Sequence, residues 1–276
     1  MGRIHYGTSS WSEKSWVGPF YPDGARPAEF LTHYAEQFET VEADNTYYAI
    51  PRDSVVDGWA AKTPERFTMA AKFPRSIVHG GEGPRPDGES VLLPERVWGE
   101  TEEFLAVMRR LGKKCGPLVL QFPYFNRSAF AGPEPFLERL DVYLGKLPGD
   151  FRYAVEVRNK GWVTPALTGV LRRHRAALVL VDIAYMPHPA SLAKSMDVVT
   201  ADFVYCRLIG DRKAVDEKTK TFDRIVLDQG RRLDRWADPL HQIADAAPEI
   251  YVYANNHYAG HGPATIRELR DRIEGE

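Results

Sequence analysis

Cysteine is scarce in this chain: Cys115 and Cys206 are the only two among 276 residues, too few for the disulfide lattice of a small secreted scaffold. Long apolar runs are missing as well. No stretch approaches the ~18 consecutive apolar residues that a membrane-crossing helix requires, and residues 1–6 carry no charged-then-apolar leader, so a soluble protein in a reducing cytoplasm, with no membrane partner, is expected. Charge of one sign is not in excess either. Against 36 Lys and Arg stand 38 Asp and Glu, a formal net charge of −2, which provides no global field to draw in a polyanion. A nucleic-acid site would have to be a local patch. Chemical motifs are also few. There is no HxH or HExxH pair, no GxSxG elbow around Ser9 or Ser10, and neither cysteine lies next to a histidine in sequence, so the local signatures of metal and nucleophile sites are missing.

What the chain does have is alternation. Hydrophobic residues make up 43% and charged residues 27%, an ordinary globular composition, and the length suits one α/β barrel domain over residues 1–276. Eight short β-rich runs occupy 4–8, 40–44, 67–73, 118–122, 153–158, 178–183, 203–208 and 250–254, each flanked by Gly, Pro, Asn or charge. Helix-period segments lie between them, at 30–38, 104–111, 136–144, 167–174, 233–244 and 266–273. The pattern predicts parallel strands joined by crossovers. The first strand leads into Gly7-Thr8-Ser9-Ser10-Trp11-Ser12 rather than a Gly-rich phosphate turn, which favours a closed (β/α)8 TIM-type barrel over an open sheet. Only 190–196 could be helical in the sixth unit, so that helix should be short or replaced. The Gly/Pro-rich segment 79–88 reads equally as a mobile lid or a solvated insertion.

In such a barrel, chemistry sits at the carboxyl ends of the strands. Reading those ends in turn gives Trp11; Glu42, Asp44, Asn45, Tyr47 and Tyr48; Lys72 and His79; Gln121; Glu156 and Arg158; Asp182; Arg207; and Asn255, Asn256 and His257. The amino ends of the strands read as mostly apolar. Glu156 and Arg158 are two apart and share a strand face, so both should point into the mouth. Two readings stand open. Arg158 could clamp a carboxylate or phosphate while Glu156 serves as acid or base, if burial raises its pKa toward neutrality; or the two form a structural ion pair closing the barrel. Lys72 and Arg207 bring the cations to three, which suggests an anionic ligand; the other reading pairs them with Glu42, Asp44 and Asp182 as scaffold. Trp11, Trp16, Tyr47 and Tyr48 beside Ser, Asn and Thr suit stacking on a sugar or base, or loop packing.

The series also resembles a known family. The carrying segments are 7–12 with Trp16 and Phe20-Tyr21-Pro22; 38–42 with Asn45-Thr46-Tyr47-Tyr48; Trp59 with 63–67 and Lys72; 116–123; Glu156-Val157-Arg158 with Gly161-Trp162; Tyr205-Cys206-Arg207-Leu208; and 252–257 with Gly262-Pro263-Ala264. Together they resemble the YecE-like family, domain of unknown function 72, over nearly the whole chain. The resemblance implies a TIM-type barrel, similar in outline to sugar isomerases and apurinic endonucleases of that fold, and assigns no activity. Two positions depart from the family pattern: Asn159 and Ile209 stand where the family usually has His, which puts any proton transfer by those histidines in doubt.

Two functions follow as expectations. The first is a metal-independent enzyme, a hydrolase, lyase or isomerase, acting on a small anionic polyol such as a sugar phosphate, sugar acid or nucleotide fragment. In it Glu156 is the acid or base, Lys72 and Arg207 stabilise charge, and Trp11, Glu42, Asn45, Tyr47, Tyr48, His79, Gln121, Arg158, Asp182, Asn255, Asn256 and His257 bind substrate in a closed, deep pocket. The alternative is a nucleic-acid-binding or nucleic-acid-processing protein that stacks bases on the aromatics and uses 207–224, with six cations against four anions, as a phosphate rail. No cofactor is expected. A divalent metal assembled from Glu42, Asp44, Glu156, Asp182, His79 and His257 stays open, although Lys72, Arg158 and Arg207 oppose a bound cation.

Overall fold

The structure, a computed structural model, describes residues 2–81, 83 and 85–275; Glu82 and Pro84 of the Gly/Pro-rich segment 79–88 lie outside the described residues. Eight strands are present: β1 (Arg3–Thr8), β2 (Thr40–Ala43), β3 (Thr68–Lys72), β4 (Cys115–Gln121), β5 (Tyr153–Glu156), β6 (Ala177–Ile183), β7 (Phe203–Gly210) and β8 (Glu249–Ala254). All pair in parallel, in the order β1-β8-β7-β6-β5-β4-β3-β2. The sheet therefore curls until β1 faces β2, and this is the TIM-type barrel that the alternation predicts.

That last seam closes on a few named atoms. Ser9 bridges Glu42, and the Ser10 amide donates to the Glu42 carbonyl at 2.8 Å. The Tyr34 hydroxyl accepts from the Thr8 amide at 2.8 Å and donates to the Thr40 carbonyl at 3.1 Å, tying the two strands from outside. Their approach is so close that a Cβ on Gly7 would lie 2.3 Å from the Thr40 oxygen, so only glycine fits. Ser10 just beyond takes a left-handed φ of +90°, a costly conformation for a residue with a Cβ; the Thr8 hydroxyl holds it by donating to the Ser10 carbonyl at 2.7 Å.

Outside the barrel lie α1 (Phe30–Gln37), α2 (Asp53–Lys62), α3 (Arg75–His79), α4 (Pro94–Arg109), α5 (Pro133–Lys146), α6 (Pro165–Arg173), α7 (Pro189–Ser195), α8 (Arg212–Asp216), α9 (Gly230–Ala246) and α10 (Gly262–Glu274). Proline in the first turn starts α4, α5, α6, α7 and α10, where its missing N–H has no intrahelical partner to lose. The sixth-unit helix, α7, is indeed short, with 7 residues. The helices α2, α3 and α8 are additions to the sequence reading. In α2 only Val56 and Trp59 are buried, too thin a stripe to register as a 3.6-residue period.

Strand parity sorts the core. Ala70, Val119, Ala154, Val179, Val181, Tyr205 and Tyr253 fill the barrel interior, whereas Leu118, Leu120, Val155, Leu178, Leu180, Cys206 and Leu208 pack toward the helices. Glu42, Lys72, Gln121, Glu156 and Arg207 continue the inward parity one step toward the carboxyl end.

Candidate functional site

These inward residues form one charged layer across the barrel mouth. Arg207, 1% exposed, is its centre: Nη2 donates to Glu42 Oε1 at 2.9 Å, and Nη1 to Gln121 Oε1 at 2.8 Å and to Glu156 Oε2. The second oxygen of Glu42 accepts from the Tyr205 hydroxyl at 2.7 Å, and that of Glu156 from Arg158 Nε at 2.6 Å. Both glutamates are fully buried, with every carboxylate oxygen engaged. A buried carboxylate survives only when paired and hydrogen-bonded in this way.

The electrostatics follow from that wiring. Burial alone would raise the Glu156 carboxyl, but Arg158 and Arg207 overcome it and hold the group at about 2. Burial acts in the same direction on Glu42, and Arg207 and Lys72 again prevail, leaving it below its usual value. The expectation that burial lifts Glu156 toward neutrality is thus corrected: its two guanidinium partners keep it ionised, and it is no proton donor at neutral pH. Asp44 behaves in the opposite way. Burial raises its carboxyl, with Lys72 pulling against the shift and Glu42 adding to it.

Above this layer the remaining hydrogen-bonding capacity belongs to donors. Arg158 presents its Nη groups outward at 20% exposure, with Tyr185 Oη 3.4 Å from Nη1. Lys72 Nζ is 3.7 Å from Glu42 Oε1 and 5.7 Å from the centre of the Tyr47 ring. Gln121 accepts through its oxygen, which leaves its NH2 free among the described residues. The Tyr47 hydroxyl sits 2.6 Å from His79 Nε2. Burial and then Arg75 lower the His79 imidazole to about 4, so it is neutral at neutral pH, and its buried Nδ1 has no hydrogen-bond partner among the described residues. Around the rim stand Tyr48, Tyr124 and Tyr185, each more than half exposed, on the loops after β2, β4 and β6. Asn45 is also exposed on the first of these.

Other expected site residues stand elsewhere. Asp182 has the outward parity of Leu178 and Leu180, and it is a strut: Arg232 and Trp236 of α9 and the Tyr258 hydroxyl all donate to its carboxylate, with His188 Nε2 3.4 Å away. A substrate-binding role is corrected accordingly. Asn256 accepts from Trp16 Nε1 at 3.2 Å and from the Gly262 amide at 2.8 Å, fastening loops. Asn255 caps the turn carrying His257, which itself lies 3.3 Å from Asp216. Trp11 is buried edge-on against Trp59. Of the departures, Asn159 is a buried clamp on the Phe125 backbone through both its amide atoms, and Ile209 packs on the interior cluster one step above Arg207.

Two further expectations change. Arg207 is sealed inside the barrel, so it is no part of a phosphate rail; on 212–224, Arg212, Lys213 and Arg224 pair with Asp216, Glu217 and Asp223. A cleft of about 660 Å³ lies at the amino end of the barrel, lined among others by Arg109, Lys113, Asp150, Arg152 and Tyr251. Its guanidinium groups are occupied by Asp150, Glu249 and Asp202. At the mouth, where a deep pocket is expected, Glu42, Gln121, Glu156 and Arg207 form a charged floor. Asp44, Tyr124 and Tyr185 join the site from outside the set of substrate-binding candidates; Asp44 reads from the sequence as scaffold pairing or as a metal ligand, and a βα-loop position is the available signal for the two tyrosines. Among the described residues, no three His, Cys, Asp or Glu side chains converge to hold a metal ion, and no helix is long and apolar enough to cross a membrane.

A family model described as "Protein of unknown function DUF72" matches residues 5–276. The UPF0759 protein YecE of Escherichia coli K12 is 33% identical over 156 residues, which is 56% of this chain and 48% of that protein; the match spans about half of the relative's length. A DUF72 family protein from Thermotoga maritima superposes with a TM-score of 0.71 at 24% identity, covering 99% of both chains. Another from Enterococcus faecalis gives 0.67 at 20% identity, covering 99% of this chain and 98% of that one. These likenesses in structure show a shared barrel.

Proposed function

The chain belongs to the DUF72 family, and we propose that it is an enzyme whose carboxyl-end mouth binds a small anionic polyol, such as a sugar phosphate, sugar acid or nucleotide fragment. One observation carries this reading: in the charged layer the Glu42 and Glu156 oxygens are all engaged, whereas among the described residues Arg158 Nη2, Lys72 Nζ and the Gln121 NH2 have no hydrogen-bond acceptor, and Arg158 Nη1 meets only the Tyr185 hydroxyl at 3.4 Å. A site with free donors and occupied acceptors selects a ligand rich in acceptor oxygens, and an anion most of all. The rim tyrosines offer faces for a ring to stack on. In this arrangement Arg158 grips the anionic group, Glu156 holds Arg158 in place while Arg207 anchors Glu156, and proton transfer falls to Asp44 and the Tyr47–His79 pair rather than to Glu156.

The test is a thermal-shift screen of metal-stripped protein against sugar phosphates, sugar acids, nucleotides, short single-stranded oligonucleotides and divalent metals, repeated on Arg158→Ala. A ligand at ~100 times its dissociation constant adds about 2.7 kcal/mol. Stabilisation by a small anion that is lost in Arg158→Ala is the expected result. Stabilisation by oligonucleotides alone, abolished by salt, would replace this reading with nucleic-acid binding.

A further inference from the structure

Lys72 has no evident task in the scaffold. It ends β3 on the inward parity, with its side chain 9% exposed, yet its ammonium makes no hydrogen bond to any described residue. Its nearest carboxylate oxygen, Glu42 Oε1, is 3.7 Å away, beyond hydrogen-bond range, and is already bonded to Arg207 at 2.9 Å. Arg207 and Arg158 already satisfy the buried carboxylates with hydrogen bonds, Arg207 to both glutamates and Arg158 to Glu156. A long amine that is retained among buried groups without a hydrogen bond is costly, and it is the group in this layer whose chemistry extends beyond charge.

We propose that Lys72 is a nucleophile that captures the carbonyl carbon of a small anionic aldehyde or ketone as a Schiff base. The proposal rests on the anion-binding reading of the same mouth and names the chemical class of its ligand. Burial and the neighbouring Arg207 both lower the Lys72 pKa, against Glu42, Asp44 and Glu156, which increases the share of free amine. With Arg158 holding the anionic group, the amine lone pair attacks the carbonyl carbon. A C–N bond forms, and the carbonyl π pair moves to oxygen, which takes up a proton as the nitrogen releases one, giving a carbinolamine. The hydroxyl then leaves as water, carrying a proton from the neighbouring acid groups, while the nitrogen lone pair closes the C=N bond. Tyr47, whose ring lies beside Nζ and whose hydroxyl meets His79, and Asp44 are the neighbours able to pass those protons.

Borohydride trapping tests this. The full chain is incubated near pH 7 with dihydroxyacetone phosphate, and separately with pyridoxal 5′-phosphate as a general anionic aldehyde, then reduced and analysed by intact and peptide mass spectrometry. Expected is one reduced adduct per chain on the Lys72 peptide, with the mass of the probe less one oxygen atom, and none in Lys72→Arg, which keeps the charge but not the nucleophile. Circular dichroism and melting of Lys72→Arg establish that it folds. Absence of a Lys72 adduct with both probes, or labelling spread over exposed lysines such as Lys14 and Lys213 and unchanged in Lys72→Arg, overturns the proposal. If Arg158-dependent stabilisation by a small anion persists in that case, the anion-binding reading stands and only the covalent step falls; if it too is missing, both fall.

Discussion

The two ends of this barrel use similar residues to opposite effect. At the amino end Arg152 bonds Glu249 and the Tyr251 hydroxyl, but its side chain is 38% exposed; His5 stacks on Tyr251 at 4.7 Å. At the carboxyl end Arg207 bonds two glutamates with all three groups at or near complete burial. A cleft of about 660 Å³ opens at the amino end, and the free, directed donors belong to the other. Size and chemical readiness are thus separated in this molecule. An exposed ion pair in a roomy cleft contributes little, because solvent screens it, whereas a buried one must be completed to exist at all.

The strongest way to break the contrast is Arg207→Met, which leaves two buried carboxylates without their shared partner; a loss of ~3–5 kcal/mol is expected in urea unfolding at pH 7. Adding Glu42→Gln and Glu156→Gln to that variant should recover part of the loss. Asp182→Ala should cost ~2–3 kcal/mol by stripping α9 and Tyr258 of their acceptor, yet leave stabilisation by the anion found in the thermal-shift screen unchanged, which separates strut from site. Acid sharpens the comparison further. His79 is held neutral in the folded state, at about 4 against 6.5, so its contribution is complete above pH 6.5 and is lost as pH falls toward 4. His5 is also lowered, by burial and Arg3, but Glu249 pulls it back. His79→Gln should therefore flatten the decline of the urea midpoint between pH 6.5 and 4 more than His5→Gln does. Below that range Glu42 and Glu156 are both held under their usual 4.5 and lose their contribution as pH falls below it, Glu156 as pH approaches about 2. Least affected should be Arg152→Met, which at its exposure is expected to cost under ~1 kcal/mol in the same assay.

Much of the fold was legible because the signals are local. Eight runs of β-branched and apolar residues, separated by helix-period stripes, lead to one architecture, and the thin sixth unit correctly implied a short helix. Asp53–Lys62 was missed because its buried stripe is only two residues deep. For the site, the inward step from Ala70 to Lys72, Val119 to Gln121, Ala154 to Glu156 and Tyr205 to Arg207 is a period of two visible in the sequence. The same rule, applied from Val179 and Val181, would have turned Asp182 toward the helices.

The sequence by itself determined which residues gather at the mouth, since strand parity and the direction of parallel strands are set residue by residue. Only the tertiary structure decided their states. Whether Glu156 holds a proton depends on two guanidinium groups reaching it from β7 and from the end of its own strand, and whether Lys72 is free depends on Arg207 having reached Glu42 first. Coulomb energy and desolvation depend on distance and burial in space, and no spacing along the chain encodes them.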